Sequence, residues 1–579
     1  MKFKYSKIIL TAILIAYITG CSTAVKPKHF SSELNKYAYL KKDMDVMIEK
    51  NMSTYNIRGI SISMTEKNKI IYTKGFGYID KDHDIKVTPQ TLFRTASVSK
   101  AFTSIAMMKL EEKRKINIDS PITKYLPLFR FKYYPKETKR SVSIRTIMTH
   151  HSGIPNISSA YELSDNELNY NQILNKLKGE YLTAPTGIIY NYSNLGIALL
   201  GGVIENKTHK PYSQYMQKNI LAPLGMHASK FTTKYSQDKF PYQHVALPTM
   251  GLVSNVVDLS RFIIMLNNEG KIENKKFLKK STIDKILKIQ NGNTKLDVGR
   301  KIGLGVDIDT QKLGKEYTIY SRIGSLERNR ACIMFMPKLK IGVVILANTT
   351  TDYHNIKQIA YEAIIKLWEV KTGNKFVAHK ANALAIKAYN ISGKYNVENF
   401  GAISILKDSD NTYTMKQLAT NEPLKIKRNT DNSYSLVLNM VMNIFASNPF
   451  KNKKFYFTKI DGKSVIVLED EYGNRDVVGQ KIKKKNIPDN WKKALGEYVD
   501  ESGKVGLTLK YNKHYLERAW KENNAEIFSE FIKPINENEA IVDNLVTKSR
   551  ITLQIKKDKD GREFIQHLGM KFFKEVVPK

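Results

Sequence analysis

The stretch Arg58-Gly59-Ile60-Ser61-Ile62-Ser63-Met64 alternates apolar and polar residues with a period of two. After the polar turn Lys67-Asn68-Lys69, the run Ile70-Ile71-Tyr72 resumes the pattern, which predicts a β-hairpin. Ala101 to Leu110 gathers its apolar side chains on one helical face and ends in the charged run Glu111-Glu112-Lys113-Arg114. Near residue 340, Ile333 to Pro337 and Ile341 to Ala347 predict a second hairpin, and Ile356 to Val370 predicts an amphipathic helix. Strands at both ends with helices between them point to an α/β domain whose sheet joins its own two termini.

From about residue 380 the texture changes to short alternating segments separated by Asp, Asn and Gly turns, the pattern of all-β barrels. This part repeats itself. Gly393-Lys394-Tyr395, then Ala402-Ile403-Ser404-Ile405 and Tyr413, recurs as Gly496-Glu497-Tyr498, then Val505-Gly506-Leu507-Thr508-Leu509 and Tyr515. Two copies of one barrel-like module are expected, over residues 385–482 and 490–579, with the charged run Lys481 to Asn490 between them.

The first residues set the expected compartment. Lys2, Lys4 and Lys7 form a basic start, and Ile8 to Ile18 is an apolar stretch short for a bilayer span. Ile18-Thr19-Gly20-Cys21 follows, and small residues just before a cysteine resemble the lipobox of bacterial lipoproteins. That resemblance implies a signal peptide at 1–20, a lipidated Cys21, a tether over 21–40 and a place in the bacterial cell envelope, facing the periplasm or the exterior. The competing reading is an ordinary secretory signal cut elsewhere.

Composition narrows the partners. Of 579 residues, 42% are hydrophobic and 26% charged, which supplies real cores and excludes wholesale disorder. Lys plus Arg number 93 against 55 Asp plus Glu, a net charge of +38. Such a balance suits an anionic partner or a lysine-rich solvated surface. Outside the cytoplasm nucleic acid drops away as a partner, leaving anionic envelope polymers and lipid headgroups. With two cysteines there is no disulfide framework, and Cys332, in the strand-like stretch Arg330-Ala331-Cys332-Ile333-Met334-Phe335, is expected to be a buried structural thiol.

The chemistry centres on one helix start. In Thr95-Ala96-Ser97-Val98-Ser99-Lys100, Ser97 and Lys100 are three apart and share a face of the first turn. A serine hydroxyl needs a base, and a desolvated lysine near other cations becomes one. The helix N-terminus adds N–H groups for a developing oxyanion. A second Ser-x-x-Lys, Ser236-Gln237-Asp238-Lys239, lies in polar sequence before Pro241 and opens no helix.

Asn191-Tyr192-Ser193-Asn194 follows the turn Pro185-Thr186-Gly187 and leads into the apolar run Leu195 to Leu200. With Ser97-x-x-Lys100, Thr149-His150-His151-Ser152-Gly153 and Gly251-Leu252-Val253-Ser254, in this order, the stretch from about 40 to 370 resembles the serine β-lactamase-related hydrolases. These comprise class C β-lactamases, DD-peptidases, D-aminopeptidases and esterases. The resemblance implies a domain over 41–375 built of an antiparallel sheet flanked by helices with a helical subdomain. It also implies Tyr192 as the phenol that passes a proton to the leaving group and Asn194 as a hydrogen-bonding partner of the substrate amide.

The third family motif falls on Ser321-Arg322-Ile323-Gly324-Ser325, where Arg322 stands in place of the family's Lys or His. Arginine keeps the charge and suits a carboxylate, but it does not give up a proton. Gly324 and Ser325 are retained, and the Ser325 N–H would pair with that of Ser97 as an oxyanion hole. Lys371-Thr372-Gly373 imitates this motif but reads as a helix end. Tyr353-His354-Asn355, in the loop before the last helix, and Tyr472-Gly473-Asn474, a turn in the first module, read as coincidental copies of Tyr-x-Asn. His150 and His151 have no evident Asp partner and read as structural.

The expected protein is therefore an envelope-anchored serine hydrolase acting through an acyl-enzyme on Ser97. It has no metal or cofactor, and its substrates are D-amino-acid peptides, peptidoglycan fragments or small esters. D-aminopeptidases of this family also carry two C-terminal barrels. The alternative is a lipoprotein that keeps the fold, has lost turnover through Arg322, and binds envelope ligands.

Overall fold

The first hairpin is present as β1 (Gly59–Glu66) and β2 (Lys69–Asp80). The computed structural model describes residues 33–80, 84–134, 140–156, 168–236, 242–310, 313, 316–377, 390–398, 400–421, 423–437, 453–470, 473–503, 505–512, 515–522, 525–542, 552–567 and 570–575. The signal segment and Cys21 lie outside these residues, as do Gln237 to Lys239 and Tyr472.

Six more strands complete the sheet: β3 (Ile85–Lys86), β4 (Lys301–Ile302), β5 (Asp307–Asp309), β6 (Ile319–Leu326), β7 (Asn329–Met336) and β8 (Ile341–Asn348). Their order is β3-β2-β1-β8-β7-β6-β5-β4, antiparallel throughout. Pairing of β1 with β8, Ile62 opposite Ile345, joins the two ends of the domain as the sequence implied. The longer helices are α1 (Glu33–Tyr55), α2 (Ser99–Glu112), α3 (Asn194–Thr208), α4 (Val256–Asn267) and α5 (Tyr353–Thr372).

Both faces of the sheet are covered. Ile60, Ile62 and Met64 pack with β8 and with apolar residues of α1 and α5, while Ala331, Ile333 and Phe335 of β7 face a second core containing α2, α3 and α4. The alternation of β1 therefore separates two interiors, not core from solvent. Its polar positions Ser61, Ser63 and Thr65 are fully buried, and Ser63 Oγ meets Ser260 Oγ of α4 at 2.8 Å. Cys332 lies in β7 as a free, buried thiol whose pKa burial pushes up to about 12. Gly373, at φ 75°, caps the C-terminus of α5, so Lys371-Thr372-Gly373 is a helix end. Tyr353-His354-Asn355 forms the first turn of α5 and not the loop before it, because the Asp352 side chain accepts from the His354 N–H and starts the helix there.

Two closed eight-stranded barrels follow, one from Gly393–Val397 to Arg475–Lys481 and one from Gly496–Asp500 to Met570–Lys574. The repeated Gly-x-Tyr serves the same purpose in each. Gly393 and Gly496 have φ 145° and 137°, and an added Cβ would meet Lys481 in one barrel and Lys574 in the other. Tyr395 OH donates to Ile391 O, and Tyr498 OH to Ala494 O, both at 2.7 Å. The barrels meet at Asn396, whose Nδ2 donates to Phe531 O while its Oδ1 accepts from Phe531 N, each at 2.8 Å. On the α/β domain, Ala184, Ile189 and Leu296 pack against Tyr456, Val465, Val467 and Val477 of the first barrel. The second barrel is held by Tyr181 OH donating to Glu539 Oε2 at 2.9 Å.

Each corner tyrosine ties a strand start to the chain just before it. Tyr395→Phe and Tyr498→Phe should each cost about 1 kcal/mol, read as a lowered unfolding midpoint of the barrel concerned.

Candidate active site

The turn carrying Ser97 is set by its neighbours rather than by a helix cap. Ala96 has φ 48°, a left-handed value uncommon for a residue with a Cβ, and the turn Ala96–Val98 leads directly into α2. The segment 247–254 straps this turn down. Thr95 N–H donates to Leu252 O at 2.9 Å and Leu252 N–H to Ser99 Oγ at 3.1 Å. Thr103 Oγ1 donates to Pro248 O at 2.7 Å and Lys100 Nζ to Thr249 O at 2.9 Å.

Lys100 Nζ lies 2.9 Å from Ser97 Oγ, and Ser97 Oγ lies 2.6 Å from Tyr192 OH. The three groups that sequence spacing and resemblance singled out thus converge on one hydroxyl. Tyr192 reaches it because Ser193 caps α3, accepting from Gly196 N–H at 2.9 Å. Lys100 is 0% exposed, and among the described residues no carboxylate pairs with it. Burial lowers its pKa from 10.5 to about 8; the Arg322 charge adds to the fall, and Tyr192 opposes it. Burial would raise the Tyr192 phenol, but Lys100 and Arg322 outweigh it and hold its pKa below the usual 10.0.

Arg322 is buried beside this triad. Its Nε donates to Ser97 O at 3.3 Å, its Nη2 stands 3.3 Å from His150 Nε2, and its Nη1 is 3.9 Å from Asp307 Oδ2. These are long contacts for a group with five donors. His150 packs its ring 4.5 Å from that of Tyr192. Burial, then Arg322 and Lys100, push its pKa well below 6.5, so it is neutral. A neutral imidazole has one acceptor nitrogen, and His150 Nδ1 already accepts from Ser193 N–H at 3.2 Å.

Gly324 and Ser325 lie in β6, opposite Ala331 and Arg330. A Cβ on Gly324 would stand 2.1 Å from Thr95 O and 3.1 Å from Ser97 N, so the strand and the Ser97 turn are in backbone contact there. Asn194 opens α3, and its side-chain Oδ1 is buried with no partner among the described residues. One reading needs correction. His151 does have an aspartate: its Nε2 is 2.8 Å from Asp297 Oδ2, and Asp297 Oδ1 accepts from Tyr190 N–H at 2.7 Å. The pair supports the loop leading to Tyr192 and leaves Ser97 untouched, which keeps His151 structural. Sequence reasoning missed Thr249 O, Asp297, Arg300 and Asp307; only Gly251 to Ser254, beside Thr249, carried a signal. Among the described residues no cluster of His, Cys, Asp or Glu could hold a metal ion.

A family model, Beta-lactamase, matches residues 44–364. The chain belongs to the beta-lactamase family. Among curated proteins it is 26% identical over 336 residues to protein flp of Staphylococcus aureus strain MW2, an alignment covering 54% of this chain and 64% of that one. It is 25% identical to beta-lactamase-like protein 4 of Dictyostelium discoideum, over 54% and 60% of the two chains. The chain thus spans less than two thirds of these relatives. The octameric penicillin-binding protein homologue from Pyrococcus abyssi shares the fold at a TM-score of 0.50, with 21% identity over 84% of this chain and 99% of that one.

The close approach of Gly324 gives a direct check. Gly324→Ala should cost about 1–3 kcal/mol through overpacking, seen as a lower melting temperature, whereas Gly292→Ala, with open space around its Cβ and no left-handed φ, should cost less.

Proposed function

We propose that the protein is an envelope-anchored serine hydrolase that cleaves amide or ester bonds through an acyl-enzyme on Ser97. The substrates are peptides with D-amino acids, peptidoglycan fragments or small esters, and the anchor is a lipid on Cys21. The observation that carries the reading is Ser97 Oγ bracketed by Lys100 Nζ at 2.9 Å and Tyr192 OH at 2.6 Å, with the amine buried.

Lys100, assisted by Tyr192, takes the Ser97 proton as Oγ bonds to the substrate carbonyl carbon. The Ser97 and Ser325 N–H groups receive the oxyanion. When the carbon–nitrogen or carbon–oxygen bond breaks, Tyr192 passes the proton to the departing amine or alkoxide. Water then attacks the ester on Ser97, Lys100 and Tyr192 take its proton, and the acid leaves with Oγ reprotonated. Asn194 binds the substrate amide, and the spare donors of Arg322 suit a substrate carboxylate.

Labelling of Ser97 by a fluorophosphonate or a fluorescent penicillin tests the reading. Wild type should label and Ser97→Ala should not; folded wild type that takes neither probe favours the ligand-binding lipoprotein instead. Rates on D-alanyl-p-nitroanilide, nitrophenyl butyrate and nitrocefin then separate peptidase, esterase and β-lactamase.

The base must be neutral to work, so labelling should fall about tenfold per pH unit below the Lys100 pKa of about 8. Arg322→Gln removes a positive charge that disfavours the ammonium, so this acid limb should move to higher pH. An unchanged limb would contradict the assignment of Lys100 as base.

A further inference from the structure

We propose that Asp476, contributed by the first barrel, is a positioning residue for the Ser97 site, acting through Arg300 and Asp307 on Arg322. The proposal rests on the hydrolase reading and extends the site into a domain that the motifs do not reach.

Residues 294–300 sit between the barrel and the loop carrying Tyr192. Leu296 and Val298 pack on the barrel, while Asp297, between them, accepts from Tyr190 N–H at 2.7 Å. The Arg300 guanidinium lies 4.4 Å over the Tyr190 ring. Arg300 donates through Nε to Asp476 Oδ1 at 3.1 Å and through Nη2 to the same oxygen, a chelating grip that fixes the guanidinium plane.

Charge explains why that grip matters. Asp307 stands between two arginines, its Oδ1 3.8 Å from Arg300 Nη1 and its Oδ2 3.9 Å from Arg322 Nη1. One carboxylate facing two guanidiniums balances only half their charge. Asp476 supplies the other half at Arg300 and leaves Asp307 to Arg322. Without Asp476, Arg300 would draw Asp307 toward itself, and Arg322 would lose its counter-charge beside Ser97 O and Tyr192. The groups facing Lys100 are Ser97, Tyr192, Arg322, the neutral His150 and the Thr249 carbonyl. Those acting around Arg300 are Asp476, Asp307 and Tyr190, and Tyr353 is in the field of Asp476, Arg300, Asp352 and Glu398. Losing an anion from this set disfavours the Lys100 ammonium, which shifts the acid limb of Ser97 reactivity to lower pH.

The test uses the full chain as wild type, Asp476→Asn, Asp476→Glu and Asp461→Asn. Asp461 makes a separate ion pair between the barrel and Lys295, at 3.3 Å, and is half exposed, so its variant reports barrel docking alone. The rate of fluorophosphonate labelling is followed against pH. Asp476→Asn should move the acid limb down by about 0.3–0.5 pH unit and lower the plateau rate several-fold. Asp476→Glu should recover both, and Asp461→Asn should change neither. An unchanged profile in Asp476→Asn overturns the proposal, and so does an equal change in Asp461→Asn, which would trace the effect to docking. If wild type takes neither the fluorophosphonate nor a fluorescent penicillin, the hydrolase reading falls by itself. The positioning role is then read from ultraviolet difference titration of Tyr192 against Tyr192→Phe, where Asp476→Asn should shift the phenol to lower pH, and no shift overturns it.

Discussion

A lysine amine sealed inside a protein without a carboxylate opposite it is an unfavourable arrangement, and among the described residues Lys100 is in that position. Lys100 is fully buried, its neighbours being a serine hydroxyl, a backbone carbonyl and a phenol. A carboxylate would stabilise the ammonium and raise the pKa of the amine. Neutral acceptors satisfy the amine in either protonation state and leave its pKa low. The cost of that burial is met by the surrounding architecture: two apolar cores, a sheet covered on both faces, and the strap of residues 247–254 across the Ser97 turn.

Charge around this amine is arranged in layers. Burial first and then Arg322 lower the pKa of Lys100, Lys100 and then Arg322 lower that of Tyr192, and Arg322 also holds the Ser97 carbonyl. Asp307 faces Arg322 further out, and beyond it Arg300 is paired with Asp476 of a barrel. An arginine in this position stays charged at all working pH values. It acts as a fixed field, whereas the amine and the phenol are the groups that change protonation.

The parts of the site readable from sequence are those encoded over a few residues. Ser97 and Lys100 are linked by one helical turn, which spacing brings out, whereas Tyr192 and Asn194, at a helix start, were picked out by the resemblance. What spacing conceals is contact between distant segments or through the backbone. Asp297 lies 146 residues from His151, and no local pattern marks it. Thr249 contributes a carbonyl, which any residue carries. Asp307, Arg300 and Asp476 are ordinary surface residue types until the fold sets them in a row. The same limit applies to the fold. Alternation in β1 located the strand, but whether its polar face meets water or a second core depends on α4, nearly two hundred residues away, as the Ser63 and Ser260 hydroxyls show. The repeat was legible because its glycine and tyrosine do local work at each strand start.

Closing a sheet into a cylinder removes the free edges by which strands usually recruit one another. The two cylinders here are joined instead by a side-chain amide: Asn396 offers Phe531 one donor and one acceptor, as a neighbouring strand would. In the second copy the residue after the corner tyrosine is Val499, which has neither. The joint is therefore polar in the directional sense. One copy reaches out and the other receives, so duplication alone would not have produced this joint, which is completed by Ala402 and Ile482 clustering with Phe531.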